Sequence, residues 1–168
     1  MPRTLDDYIG GGGVTYCSST STCFPVTPPR TFKMPNGLAR GADELIYVPA
    51  TISGTISVYS LKPFDDNTEI PPTFILLDTI NVGMPVDNLA LDGNGDLWIP
   101  GFPDGVRLFK WVENPVRHKT PATIWKVNKI EGSYQMEKVL EDSEAEILNG
   151  ITTVRHDVRT GRLFMGGE

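Results

Sequence analysis

Apolar and polar positions along this chain fall into short runs broken by Gly, Pro, Asn and Asp. Runs of about 5–8 residues rich in β-branched and aromatic side chains read as strands. The pattern predicts strands over Val14–Ser18, Leu45–Pro49, Thr55–Leu61, Phe74–Ile80, Leu89–Asp92, Asp96–Pro100 and Val106–Trp111. It continues with Thr123–Lys129, Tyr134–Leu140, Ile151–Arg155 and Arg162–Gly166. Few stretches place apolar residues at i, i+3, i+4 and i+7, and the one weak helical stretch is Glu141–Leu148.

The runs repeat as a group. Asn36-Gly37-Leu38-Ala39, Leu45-Ile46-Tyr47-Val48-Pro49 and Gly54-Thr55-Ile56-Ser57-Val58-Tyr59 match a second set. That set is Asn88-Leu89-Ala90-Leu91, Leu97-Trp98-Ile99-Pro100 and Gly105-Val106-Arg107-Leu108-Phe109. A third copy opens at Asn149-Gly150-Ile151-Thr152 and reaches Arg162–Gly166. The starts lie 52 residues apart from Asn36 to Asn88 and 61 apart from Asn88 to Asn149. About four strands per repeat is the content of a β-propeller blade, and a sandwich does not carry so long a periodic unit. The expected fold is all-β, a partial β-propeller of about three blades. Residues 1–35 would supply outer strands of one blade, 36–85 and 86–148 one full blade each, and 149–168 the start of the next. In such blades the recurrent Tyr47, Trp98 and Phe164 are core positions.

Composition narrows the function. With 168 residues and 39% hydrophobic side chains the chain can bury a core of its own. The 17 glycines and 14 prolines suit a turn-rich, ordered β protein. A net charge of −6 without a Lys/Arg run argues against nucleic acid as a partner. No apolar run approaches a transmembrane segment, and residues 1–13 lack the apolar region of a signal peptide.

Cys17 and Cys23 flank a polar loop between two short β-prone segments, so they can face each other across a hairpin. A structural bridge, two free thiols, or a redox or metal pair are the readings open to them. Asp92-Gly93-Asn94-Gly95-Asp96 opens like a calcium loop, but Leu97 stands where that loop needs Gly and Pro103 where it needs Glu. It reads as a hairpin turn. Gly10–Gly13 lacks the Gly-Lys-Ser/Thr of a phosphate loop and reads as a connector. His118 and His156, the only histidines, read as solvated loop residues, and the acidic stretch Glu141–Glu146 as a solvated connection.

Several segments together resemble the calcium-dependent paraoxonase/arylesterase-like six-bladed propellers, especially their fungal branch. They are Leu5–Gly12, Met34-Pro35-Asn36-Gly37-Leu38-Ala39, Ile56–Tyr59, Pro85-Val86-Asp87-Asn88-Leu89-Ala90-Leu91-Asp92 with Gly95–Trp98, and Asn149–Thr153. The resemblance sets the chain beside the C-terminal half of such a ring. It implies that Asn36, Asp87 and Asn88 are ligands of a central calcium. Calcium takes about six to eight hard oxygen donors, which Asn and Asp supply. The family's other ligands, its His pair and a second, structural calcium belong to the half without counterpart here. Where well-known animal members carry a His after the Leu-Trp strand, this chain has Phe102, which moves no proton. Phe102 then lines an apolar substrate mouth or simply packs.

The function implied is calcium-dependent hydrolysis of a small-molecule ester or lactone, incomplete or inactive in the chain as it stands. A sugar-lactone hydrolase of the gluconolactonase type and a non-catalytic interaction module are the alternatives. Relatives often enter the secretory route, which leaves the compartment open. An arc that leaves blade faces uncovered is also expected to self-associate.

Overall fold

The first of the longer apolar runs becomes a strand over Ile46–Ala50, buried at every residue. A computed structural model describes residues 11–19, 21–64 and 70–167, so most of the Leu5–Gly12 segment, Gly10 and Thr20 lie outside the described residues. Within it, β1 (Gly11–Gly12) pairs with β4 (Phe32–Lys33), and β2 (Thr15–Cys17) with β3 (Cys23–Pro25). β5 (Ala39–Arg40), β6 (Ile46–Ala50), β7 (Thr55–Lys62) and β8 (Thr73–Asn81) form a four-stranded antiparallel sheet in chain order. β9 (Ala90–Leu91), β10 (Leu97–Gly101), β11 (Ala122–Ile130) and β12 (Ser133–Asp142) form a second with the same order. β13 (Ile151–Asp157) and β14 (Arg162–Gly167) make a hairpin. The chain is all-β with several antiparallel sheets, none closed on itself. No helix among the described residues is long and apolar enough to cross a membrane.

Burial falls from the second strand of each sheet outward. Every residue of β6 and of β10 is buried, β7 alternates, and β8 and β12 are mostly exposed. The cause is that both faces of the sheet are covered at its inner strands. Side chains alternate between faces with period two, so one strand serves two cores. Leu97 and Ile99 point to the first sheet and share a core with its Tyr47, Ile56, Val58 and Ile80 and with Leu89 and Val127. Trp98, between them in sequence, points the other way and packs with Ala122, Ile124, Ile151 and Val154. Tyr47 and Tyr134 add an edge-to-face ring contact at 6.3 Å between the two sheets, with their hydroxyls 3.4 Å apart. Burial first, then the bond to Tyr134, pushes the Tyr47 phenol well above its ordinary value.

Matched backbone bonds fix how the two large sheets correspond. Asn36 N–H donates to Pro49 O and Asp87 N–H to Pro100 O, both at 3.1 Å. Thr51 N–H donates to Met34 O at 2.9 Å and Phe102 N–H to Pro85 O at 2.8 Å. The isolated bridges Pro35–Ala50 and Val86–Gly101 match as well. The offset is therefore 51 residues, from Asn36 to Asp87, and corrects the sequence alignment of Asn36 with Asn88 by one position. Asn88 corresponds to Gly37, and Phe102 to Thr51.

Four further expectations are corrected. Val106–Trp111 is not a strand but the centre of a helix, α1 (Gly105–Glu113), inserted between β10 and β11. Asp104 caps it, its Oδ1 accepting from Val106 N–H at 3.0 Å and Arg107 N–H at 2.9 Å. Glu141–Leu148 is not helical: β12 ends at Asp142, whose Oδ2 accepts from Ile147 N–H and Leu148 N–H at 2.7 and 2.8 Å and draws the segment into a tight bend. Those bonds hold the Asp142 carboxyl down to about 2. His156 is not in a solvated loop but in β13, paired with Asp92. Phe164, unlike Tyr47 and Trp98, is 60% exposed.

The Asp92–Asp96 segment is the hairpin turn between β9 and β10. Asp92 Oδ1 accepts from the N–H groups of Asn94 and Asp96 at 2.9 and 3.1 Å, and Gly95 takes the positive φ of +84°. Cys17 and Cys23 are opposite residues of the β2–β3 hairpin and form a disulfide, which removes the free-thiol and metal-pair readings. His118 is exposed beyond the helix, as the sequence suggests.

Candidate functional site

The segments leading into β5 and β9 end at equivalent places beside one cavity of about 370 Å³. Asn36 and Asp87 line it from the two sheets, with Thr51, Phe102, Leu108 and Trp111 around them. Each of these side chains has a local reason to be there. Asn36 and Asp87 are held by their own backbone bonds to Pro49 and Pro100, the penultimate residues of β6 and β10. Thr51 and Phe102 follow those strands. Leu108 and Trp111 sit at i and i+3 on the buried face of α1, and Phe102 packs its ring against Trp111 at 6.2 Å.

Phe102 is buried, at 1% exposure, and lines the cavity beside Trp111. Asp87 is buried too, at 9%. Its Oδ1 accepts from the Asn88 backbone N–H and from Asn88 Nδ2, both at 2.8 Å. Asn88 Nδ2 also donates to Thr152 O of β13 at 3.4 Å. Its Oδ1 then lies toward Gly37, 2.6 Å from where a Cβ on that residue would stand. Gly37 has φ +71°, so the missing side chain serves both the backbone and the Asn88 amide. The structure thus gathers Asn36, Asp87 and Phe102 on one cavity and sets Asn88 behind Asp87. Asn149 is engaged elsewhere, its Oδ1 accepting from Thr120 N–H at 3.0 Å.

The charge of the site is one-sided. Asp87 and Glu113 are its ionisable lining residues among those described, and no basic side chain lines it. Among the described residues no three His, Cys, Asp or Glu side chains group as metal ligands. Of the expected calcium ligands, the carboxylate of Asp87 and the amide of Asn36 line the cavity, and Asn88 is not among the lining residues. Hard oxygen donors of this kind fit calcium in chemistry, and they fill only part of its usual shell.

The sequence pattern does not single out Thr51 or the helix residues. Extending the repeat by one position past Pro49-Ala50 and Pro100-Gly101 would have paired Thr51 with Phe102. For α1 the signal is Asp104 as a cap followed by Leu108, Trp111 and Val112 at helical spacing. No model of a known protein family matches the chain, and no curated protein matches its sequence.

Proposed function

We propose that the chain is a propeller arc of about three blades carrying part of a calcium-assisted hydrolase site for small esters or lactones. The observation that supports this reading most is the shared cavity. Two equivalent strand entrances present Asn36 and Asp87 to it, beside an apolar wall of Phe102, Leu108 and Trp111. Asn36 and Asp87 would hold the ion, with Asn88 behind the carboxylate. Bound there, calcium supplies Lewis-acid polarisation of the ester carbonyl. Asn88, bonded to both Asp87 and Thr152, fixes the carboxylate's orientation. Phe102, Leu108 and Trp111 exclude water and receive the apolar part of the ester. Two protein donors leave most of the shell to water or to further ligands, so hydrolysis by this chain itself is expected to be slow.

Terbium(III) shares calcium's preference for hard oxygen, and Trp111 stands in the cavity as an optical sensitiser. Titration of the purified chain should give tryptophan-sensitised emission that calcium displaces and Asp87→Asn removes. An arylphosphonate, which mimics the tetrahedral species of ester hydrolysis, should bind more tightly when calcium is present. Emission indifferent to Asp87→Asn, or phosphonate binding indifferent to calcium, would overturn the reading.

A further inference from the structure

The two most exposed large apolar side chains among the described residues are Val116, at 94%, and Ile147, at 87%. Val116 stands in the loop after α1, and Ile147 in the bend that follows β12. Arg117 and Lys119 follow Val116, Glu144 and Glu146 precede Ile147, and all four are exposed. The other charges of the acidic stretch are already engaged. Glu141 pairs with Lys138, and Asp142 takes the N–H groups of its own bend. Arg117, Lys119, Glu144 and Glu146 make no ion pair with any described residue.

The two loops are neighbours. Arg107 donates to Lys119 O on one side and to Ser143 O and Glu144 O on the other. Next to them Thr120 N–H donates to Asn149 Oδ1, and Gly150 N–H to Thr120 O. One surface thus carries +2 from Arg117 and Lys119 beside −2 from Glu144 and Glu146, each pair with a bare aliphatic side chain. Such a surface is its own complement. A two-fold axis between the loops sets the basic loop of each copy against the acidic loop of the other, so every contact is made twice. The opposite charges fix the register, and the aliphatic side chains gain by leaving water. A membrane of anionic lipid fits less well, because Glu144 and Glu146 would meet it on the same face.

We infer that this surface binds a second copy of the chain as a two-fold dimer. Arg117 and Lys119 of each copy meet Glu144 and Glu146 of the other, and Val116 packs against Ile147 across the interface. None of these residues lines the cavity described above, so the dimer and the ester site stand or fall separately.

Sedimentation velocity on the full chain, at a series of concentrations and salt levels, tests this. The chain should show a monomer–dimer equilibrium that weakens as salt rises. The double variant Arg117→Glu, Lys119→Glu should weaken it about tenfold or more, and so should Glu144→Lys, Glu146→Lys. Each reversal sets like charges together at both contacts. An equimolar mixture of the two double variants should regain the dimer, because both contacts are then opposite in sign again, and a variant that merely misfolded would not restore it. A parent chain that is monomeric at low salt at every concentration, reversals that leave association unchanged, or a mixture that stays monomeric would each overturn the inference.

Discussion

His156 Nδ1 lies 2.7 Å from Asp92 Oδ2, joining β13 to the turn that follows β9, 64 residues away in sequence. The same oxygen accepts from Trp98 Nε1 at 2.9 Å, and the imidazole lies over the Trp98 ring with centroids 4.5 Å apart. The Asp92 side chain is wholly buried. Burial alone would raise its carboxyl, but bonds from His156, Trp98 and the N–H groups of Asn94 and Asp96 outweigh it and lower the value. A carboxylate only accepts, so His156 carries its proton on Nδ1. The trio therefore clamps the second sheet to the β13–β14 hairpin.

Removing the clamp should be costly from one side and modest from the other. Asp92→Ala leaves the Trp98 indole and two turn N–H groups without their acceptor, and about 3–5 kcal/mol of stability should be lost. His156→Gln removes one bond while leaving Asp92 three other donors, and about 1–2 kcal/mol should go. Urea unfolding of the two variants beside the parent chain measures the difference. Equal losses would show that the carboxylate is not the hub.

Acid should weaken the fold through the same group. A carboxyl whose folded value is depressed stabilises above its unfolded value and loses that contribution as pH falls through the folded one. For Asp92 the loss begins near its ordinary value of 3.8 and continues below it. Asp142, held at about 2, loses its part over a window reaching that value. Urea midpoints should thus drop as pH falls below about 4. In Asp92→Asn the drop should be smaller but not absent, since Asp142 still titrates. A midpoint that rises as pH falls below about 4 would contradict both assignments.

Most strands were legible because period-two alternation and the recurrent Leu-Trp-Ile-Pro type of segment report burial directly. Tyr47 and Trp98 are buried for the reason the repeat suggests. The helix was not legible because Gly105-Val106 imitates the Gly54-Thr55 opening of β7, while the competing signal, the Asp104 cap, is one residue. His156 was misread because its acceptor, Asp92, is distant in sequence and belongs to a turn whose own chemistry already accounted for an Asp. The cavity was half legible. Asn36, Asp87 and Phe102 come together, yet Thr51 and Trp111 owe their place to a strand register and a helix that local pattern does not encode.

Gly37 gives a test confined to the strand entrance. An Ala there must hold φ +71° and place its Cβ 2.6 Å from Asn88 Oδ1, so Asn88 has to turn away from Asp87 or Thr152. The expected loss is about 1–2 kcal/mol from the left-handed backbone and the disturbed amide. The same variant should weaken terbium emission, since Asn88 orients Asp87. Gly95→Ala is the control. It has a similar φ of +84° but no atom within 4 Å of the added carbon, so it should cost stability and leave emission unchanged.

The last expectation concerns how α1 is fastened, because the cavity wall depends on it. Leu108 and Trp111 are its buried residues, and Val106, Phe109 and Val112 are substantially exposed. Such a short helix is not stable by propensity and needs its cap and its docking. Docking comes from Arg107, whose Nε donates to Lys119 O at 3.2 Å and whose terminal nitrogens donate to Ser143 O and Glu144 O at 3.2 and 3.4 Å. One guanidinium thereby ties the helix to the chain after it and to the bend held by Asp142. Asp104→Ala should cost about 1 kcal/mol through the lost cap. Arg107→Ala should cost a similar amount by leaving three carbonyls to water. Hydrogen exchange distinguishes these local effects from global loss. Amides of 105–113 should exchange faster in both variants, and those of 143–148 in Arg107→Ala alone, while β11 keeps its protection. Equal acceleration across β11 would mean that the helix is part of the sheet's cooperative unit and not a wall attached to it.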